Sequence, residues 1–186
     1  MTAARSDGVP SGRFDAAAPL LAFALPFAVA TFNAGTSMGF YDAPELTTSG
    51  SGLGVTHPPG HPLWVLLASL ASLVPVGPIA LRIELLSALC LGVIARCAYA
   101  VTLPIVRASL GGEGQRLASV FALSASLTAV LGTAVMRQAT RVEVYALAGA
   151  LAVGVLALSR ARELPPGVRA RGVVLVTALG GTNHHF

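Results

Sequence analysis

The chain has 186 residues, of which 54% are hydrophobic and only 11% are charged, whereas soluble domains usually carry about 25% charged residues. This composition excludes a soluble globular enzyme and places the chain in the membrane class. All twelve basic residues are Arg and the formal net charge is +4; because they stand one or two at a time between apolar runs, they do not predict nucleic-acid binding.

The first predicted elements are a tail, a span, a loop and a short helix. Residues 1–15 form the tail and residues 16–35 the first span, where Pro19 and Pro26 predict a kink that a membrane helix tolerates. Residues 36–62 are rich in Gly, Ser, Thr and Pro and are predicted to form the first outer loop. Residues 63–76 are apolar but too few to cross about 30 Å of hydrocarbon, so we expect a re-entrant or interfacial helix.

Four further spans are predicted, over residues 79–106, 117–136 and 144–159 and from residue 172 onward. The last apolar segment stops at Phe186 without a closing loop, so we expect the N-terminal portion of a longer protein, truncated at its C-terminus. The whole pattern predicts an all-α, polytopic transmembrane helix bundle that occupies residues 16–186.

The arginines predict the topology, because cytoplasmic flanks carry the excess of positive charge. If residues 63–76 do not span, eight arginines lie inside and three outside, with Arg96 left out because it lies within a span. If they do span, the count becomes five against six. The first arrangement is favoured; it places the N-terminus in the cytoplasm and all histidines at the outer face. The three outer arginines are Arg82, Arg137 and Arg141.

Two carboxylates, Asp42 and Glu45, stand three residues apart just after the first span. A carboxylate near the membrane interface has a raised proton affinity and could accept a proton from a substrate hydroxyl. The same spacing is also that of a capping box, with Asp42 as the N-cap of a helix and Glu45 reaching back to it. The sequence leaves both interpretations open.

The histidines and outer arginines predict binding to a polar substrate. His57 and His61 flank a Pro-Pro-Gly turn whose stiffness fixes the direction of both imidazoles. Because that spacing is not the helical spacing of a metal site, we expect hydrogen bonds to a substrate or a carboxylate and no metal. Arg82 and Arg141 could hold phosphate oxygens in a bidentate fashion, or could instead form ion pairs or contact lipid headgroups.

Several motifs in order resemble a large bacterial membrane family, long catalogued as a domain of unknown function, that belongs with the protein O-mannosyltransferase-like proteins of the GT-C glycosyltransferase superfamily. The resemblance covers nearly the whole chain from the first span onward. It rests on Asp42-Ala43-Pro44-Glu45-Leu46, Leu53-Gly54-Val55, His57-Pro58-Pro59-Gly60 with Pro62-Leu63, Arg82 with Leu86-Ser87-Ala88, Glu143-Val144-Tyr145-Ala146-Leu147, and Asn183-His184.

The resemblance implies a multi-pass glycosyltransferase of the bacterial inner membrane. It would move a hexose such as mannose from a polyprenyl-phosphate donor to a hydroxyl of a protein or glycan acceptor on the outer face. Asp42 matches the catalytic base and Glu45 follows as its partner. No cofactor is implied, and a divalent metal remains open. The positions expected to bind substrate are His57, His61, Arg82, Arg141, Glu143, Tyr145, Asn183 and His184.

Two other functions compete with the transferase: a transporter or flippase of polyprenyl-linked substrates, and a noncatalytic membrane scaffold. A transporter is expected to place ionisable residues near the bilayer midplane in a repeated pattern. Here the ionisable residues gather at one face and no repeat is evident. This distribution favours the enzyme.

Overall fold

The computed structural model describes residues 12–35, 39–114 and 117–183. Within these ranges the chain is entirely helical apart from its connections, which confirms the all-α membrane bundle. The eight helices are α1 (Arg13–Asn33), α2 (Ala43–Gly52), α3 (Pro62–Ser72), α4 (Ile79–Gly114), α5 (Ala118–Leu131), α6 (Thr133–Ala139), α7 (Tyr145–Arg160) and α8 (Pro166–Gly181).

Two of the described helices are long and apolar enough to cross a membrane: α1, with 21 residues, and the 32-residue part Ile79–Leu110 of α4. The predicted span over residues 117–136 is broken, because Gly132 is extended (ψ 146°) and α5 and α6 meet at a bend of 70°. That pair makes a third span if it crosses as one unit. At 16 residues each, α7 and α8 reach about 24 Å, which is less than the hydrocarbon thickness.

The long helix α4 is the centre of the bundle, with α1, α5 and α7 packed around it. A Cβ added at Gly92 would lie 2.9 Å from the Phe23 ring and 3.0 Å from the Phe23 carbonyl oxygen. Only glycine therefore permits this close crossing of α1 and α4, as small residues do in membrane bundles. Ala18 and Ala22 pack against Tyr99, so α1 runs antiparallel to α4.

The helix directions separate the charged residues into two groups. Ile94 of α4 lies beside Gly149 near the start of α7, and Leu158 near the end of α7 lies beside Gly172 of α8. The second half of α4 lines one groove together with the end of α7, so these two helices run parallel. The start of α1, the ends of α4 and α7 and the start of α8 therefore share one end of the bundle. This end, called here the arginine end, holds Arg13, Arg107, Arg160, Arg162, Arg169 and Arg171.

Helix α2 forms inside the segment that composition predicts to be a loop. A Cβ at Gly50 would lie 2.8 Å from the Cβ of Ala68, so α2 and α3 pack almost backbone to backbone. The hydroxyls of Thr47 and Thr48 donate to carbonyls one turn earlier, at 2.7 and 2.9 Å. Packing against α3 thus overrides the weak helix propensity of Gly, Ser and Thr.

Candidate functional site

A polar cavity of about 270 Å³ lies at the end of the bundle opposite the arginine end. It is enclosed by the start of α2, the turn between α2 and α3, and the segment that leads into α7. Five of the side chains expected at the site therefore meet here, although the sequence separates them by up to about a hundred residues. The lining residues are Asp42, Leu46, His57, Pro58, Pro59, His61, Glu143, Val144 and Tyr145.

Asp42 stands at the N-cap position of α2 but does not cap it. Its backbone is helical (φ −79°, ψ −11°), and its side chain makes no capping hydrogen bond. Glu45 does not reach back to it either, because both Glu45 oxygens contact His57. The capping box is therefore not formed, and the Asp42 carboxylate lines the cavity.

Glu45 and His57 form a carboxylate–imidazole pair. The His57 backbone N–H donates to Glu45 Oε1 at 2.5 Å, and His57 Nδ1 lies 3.1 Å from Glu45 Oε2. These backbone and side-chain hydrogen bonds from His57 lower the pKa of the Glu45 carboxyl. Because an ionised carboxylate can only accept, the contact assigns a proton to Nδ1, and in the neutral ring Nε2 is then an acceptor.

His61 is buried and joins the turn to the far end of the chain. It is 2% exposed, its ring packs edge-on to that of His57 at 5.6 Å between centroids, and its Nδ1 donates to the carbonyl oxygen of Asn183. Its φ of +42° lies in the left-handed region, which costs a non-glycine residue about 1–2 kcal/mol. The surrounding contacts hold the turn in this conformation, as is common beside functional sites.

Glu143 is a buried carboxylate beside an arginine. It is 4% exposed, and its Oε1 lies 3.3 Å from Arg141 Nη2. Burial raises the pKa of the Glu143 carboxyl, Arg141 opposes this shift, and the nearby charge of Asp42 adds to it. Arg141 Nη2 also donates to Gln138 Oε1 at 3.1 Å, while its Nε is buried without a hydrogen-bond partner.

Two side chains hold the backbone of residues 143–144 in place. The indole N–H of Trp64 donates to the Glu143 carbonyl at 3.1 Å, and the amide of Asn183 donates to the Val144 carbonyl at 3.3 Å. Asn183 is fully buried and does not line the cavity, so its expected contact with substrate stays a prediction. His184 lies outside the described residues.

Sequence reasoning missed Trp64 and Gln138. Trp64 is the only tryptophan in the chain and follows the histidine–proline motif directly, which is a signal that could have found it. Gln138 is three residues before Arg141, a spacing at which helical side chains can meet, but polar residues at such spacings are common.

Arg82 is not brought to the cavity. Its guanidinium donates to the carbonyl oxygens of Ser72, Val76 and Gly77 at 2.9–3.2 Å. The Ser72 carbonyl is at the last turn of α3, where helices leave acceptors unpaired, and the other two belong to the turn that follows. The structure thus gives Arg82 contacts that stabilise the α3–α4 connection, and its expected contact with phosphate stays a prediction.

A second, mainly apolar cavity of about 340 Å³ adjoins the polar one. Tyr145 lines both cavities. Arg141 also touches both sets of residues, because Gln138 lines the apolar cavity and Glu143 the polar one. The apolar cavity is lined by Leu91, Ile94, Ala134, Val135, Gln138, Ala139, Tyr145, Ala146 and Gly149.

Metal ligands are not grouped in the described ranges: no three His, Cys, Asp or Glu side chains there are arranged to hold an ion.

Comparison with known proteins gives the chain a family. A mouse protein named Protein O-mannosyl-transferase TMEM260 is 47% identical over 68 residues, which are 36% of this chain and 10% of the mouse protein. The chain thus matches about a tenth of the length of this curated relative. No solved structure matches. The family described as Protein O-mannosyl-transferase TMEM260 N-terminal domain matches residues 42–184, a range that begins at Asp42, and the chain belongs to this family.

Proposed function

We propose that this chain carries the transfer site of a GT-C-type protein O-mannosyltransferase. In the full-length protein it moves mannose from a polyprenyl-phosphate donor to a hydroxyl group of a protein. The family and the name of the mouse relative support mannosyl transfer. The observation that carries the choice of donor is the pair of adjoining cavities, one polar and one apolar, with Arg141 in contact with residues of both.

A lipid-linked sugar phosphate has three parts that fit this arrangement. The sugar occupies the polar cavity, where carboxylate and imidazole groups can bind its hydroxyls. The first units of the lipid occupy the apolar cavity. The phosphate joins sugar to lipid and lies at Arg141, whose buried Nε still lacks an acceptor and whose guanidinium can bind phosphate oxygens in a bidentate fashion.

The reaction exchanges one C–O bond for another at the anomeric carbon of the sugar. The acceptor oxygen forms a bond to the anomeric carbon while the bond between that carbon and the phosphate oxygen breaks, and the lipid phosphate leaves with the electron pair. The proton of the acceptor hydroxyl passes to the Asp42 carboxylate, which lines the cavity. General-base catalysis of this kind contributes on the order of 10²–10⁴ in rate.

His57 and Glu45 act together beside this base. Glu45 keeps Nδ1 of His57 as the donor, so Nε2 accepts a hydrogen bond from a sugar hydroxyl. The buried Glu143 supports Arg141 from the other wall. We further propose that the cavity faces the outer side of a bacterial inner membrane, because the arginine end carries the positive charge typical of the cytoplasmic side.

The test of the phosphate position uses Arg141→Lys in the purified full-length protein, with Arg137→Lys as its matched control. A lysine keeps the charge but cannot form the bidentate fork. We expect about tenfold weaker binding of a polyprenyl-phosphate mannose donor for Arg141→Lys, equivalent to about 1.4 kcal/mol, and no change for the exposed Arg137. Equal donor binding in both variants would contradict the proposal.

A further inference from the structure

A second large groove lies at the arginine end, away from the proposed transfer site. It has a volume of about 880 Å³, about three times that of the polar cavity. Its walls are the second half of α4 and the end of α7 with the turn that follows. The lining residues are Ala100, Pro104, Ile105, Ala108, Ser109, Ala157, Ser159, Arg160, Ala161, Arg162 and Glu163.

The walls of the groove are made of small and apolar side chains. Ala100, Pro104 and Ala108 recur every four residues, so they share one face of α4. Ala157 of α7 lies on the other side, and side chains of this size leave the space between the helices unfilled. These α4 residues belong to the apolar part Ile79–Leu110 that is long enough to cross a membrane. The groove therefore runs from the hydrocarbon region toward the arginine end.

The mouth of the groove is positively charged. Arg160 and Arg162 line it together with one carboxylate, Glu163. Among the described residues of the arginine end, six arginines stand against three carboxylates, Asp15, Glu113 and Glu163. Basic residues near an anionic membrane surface are attracted to its headgroups. Charge complementarity therefore favours an anionic occupant whose charge is at the level of the headgroups.

We propose that the groove binds an anionic phospholipid from the leaflet at the arginine end. One acyl chain lies along Ala100, Pro104 and Ala108, and the phosphate pairs with the guanidinium groups of Arg160 and Arg162. The acyl chain gains little free energy by moving from the bilayer into the groove, because lipid tails are as apolar as the groove. Selectivity therefore comes from the headgroup, through charge-assisted hydrogen bonds to phosphate.

The experiment measures lipid retention by native mass spectrometry of the full-length protein in detergent with phosphatidylglycerol or phosphatidylcholine. The double variant Arg160→Gln/Arg162→Gln removes the charges at the groove. The matched control, Arg169→Gln/Arg171→Gln, removes the same charge from the same end without touching the groove lining. A third variant, Ala108→Phe, fills the groove and keeps every charge.

The expected result is retention of phosphatidylglycerol at least tenfold above phosphatidylcholine in the unaltered protein and in the control. That preference should disappear in Arg160→Gln/Arg162→Gln, and Ala108→Phe should lower retention of the anionic lipid. Equal losses in the two double variants would mean diffuse attraction and overturn the proposal. So would an undiminished preference in Arg160→Gln/Arg162→Gln or unchanged retention in Ala108→Phe.

Discussion

Residues 143–144 form one wall of the cavity, and the side chains of Trp64 and Asn183 hold their backbone in place. Removing these two side chains should lower the free energy of unfolding by different amounts. Trp64→Phe removes the donor to the Glu143 carbonyl. A lost hydrogen bond is worth about 1 kcal/mol and a buried carbonyl left unpaired costs about 1–3 kcal/mol. The smaller phenyl ring also loses some packing contacts of the indole. Together, these effects should lower the free energy of unfolding of Trp64→Phe by about 2–4 kcal/mol.

Asn183→Ala should cost less, for two reasons. The Val144 carbonyl also accepts the backbone N–H of Ala148 at 3.1 Å, so it does not lose its only donor. The Asn183 side-chain oxygen is buried without a partner, and its removal relieves a penalty of similar size to the lost bond. We expect a change of about 0–1 kcal/mol.

The double variant tests whether the two anchors hold the same segment. Each single variant leaves one anchor in place, whereas the double variant releases both, so the loss should exceed the sum by about 0.5–2 kcal/mol. The assay is reversible unfolding of the full-length protein in mixed micelles, with transfer activity measured on the same samples. Additivity within about 0.5 kcal/mol, or an Asn183→Ala loss as large as that of Trp64→Phe, would refute the reasoning.

Three further predictions follow from the cavities, the helix crossing and the Glu45–His57 pair. Ala134→Leu fills the apolar cavity and should raise KM for the lipid-linked donor several-fold with kcat nearly unchanged. The matched control Ala152→Leu, between α7 and α8, should leave both constants unchanged. Equal KM values for the two variants would contradict the proposed position of the donor lipid. Gly92→Ala places a Cβ 3.0 Å from a backbone oxygen and should destabilise the protein by about 1–3 kcal/mol. Gly167→Ala meets open space and should be neutral or stabilising by up to about 1 kcal/mol. Unfolding in detergent measures both variants, and equal stability would contradict the close crossing of α1 and α4. His57 lowers the pKa of Glu45 from 4.5, so the stability that this pair contributes is present above about pH 4.5 and is lost as pH falls through the lower folded-state pKa. Glu45→Gln should remove that part of the pH dependence of unfolding. Identical pH profiles for the variant and the unaltered protein would contradict the pairing.

The residues of the cavity could be predicted from the sequence because each belongs to a short local motif whose residue types indicate their chemistry. Asp42, His57 and Glu143 follow or precede apolar helices at one face of the bundle, and the distribution of Arg residues assigns those helix ends to the same side. The structure brings these side chains together as that reasoning expects. Their individual roles in substrate binding stay predictions.

Other features could not be predicted because they depend on tertiary packing. Helix α2 packs closely against α3, with Gly50 beside Ala68, while its own composition favours a loop. Arg82 is on the side where arginines are scarce, a position that favours a phosphate ligand. Its contacts with the carbonyls at and after the end of α3 become evident only once the end of that helix is known. The bend at Gly132 likewise follows from its extended backbone.

The proposed role of Asp42 as the base of a mannosyl transfer is tested most directly by the transfer rate of Asp42→Asn in the full-length protein at saturating donor. Asparagine has nearly the same shape as aspartate, but it cannot take up a proton at neutral pH. We expect a rate lower by about 10²–10⁴, with unchanged donor binding and unfolding temperature. Asp15→Asn, at the arginine end, removes the same charge and should leave the rate unchanged. Near-normal transfer by Asp42→Asn, from a polyprenyl-phosphate mannose donor to a protein acceptor, would show that Asp42 is not the base.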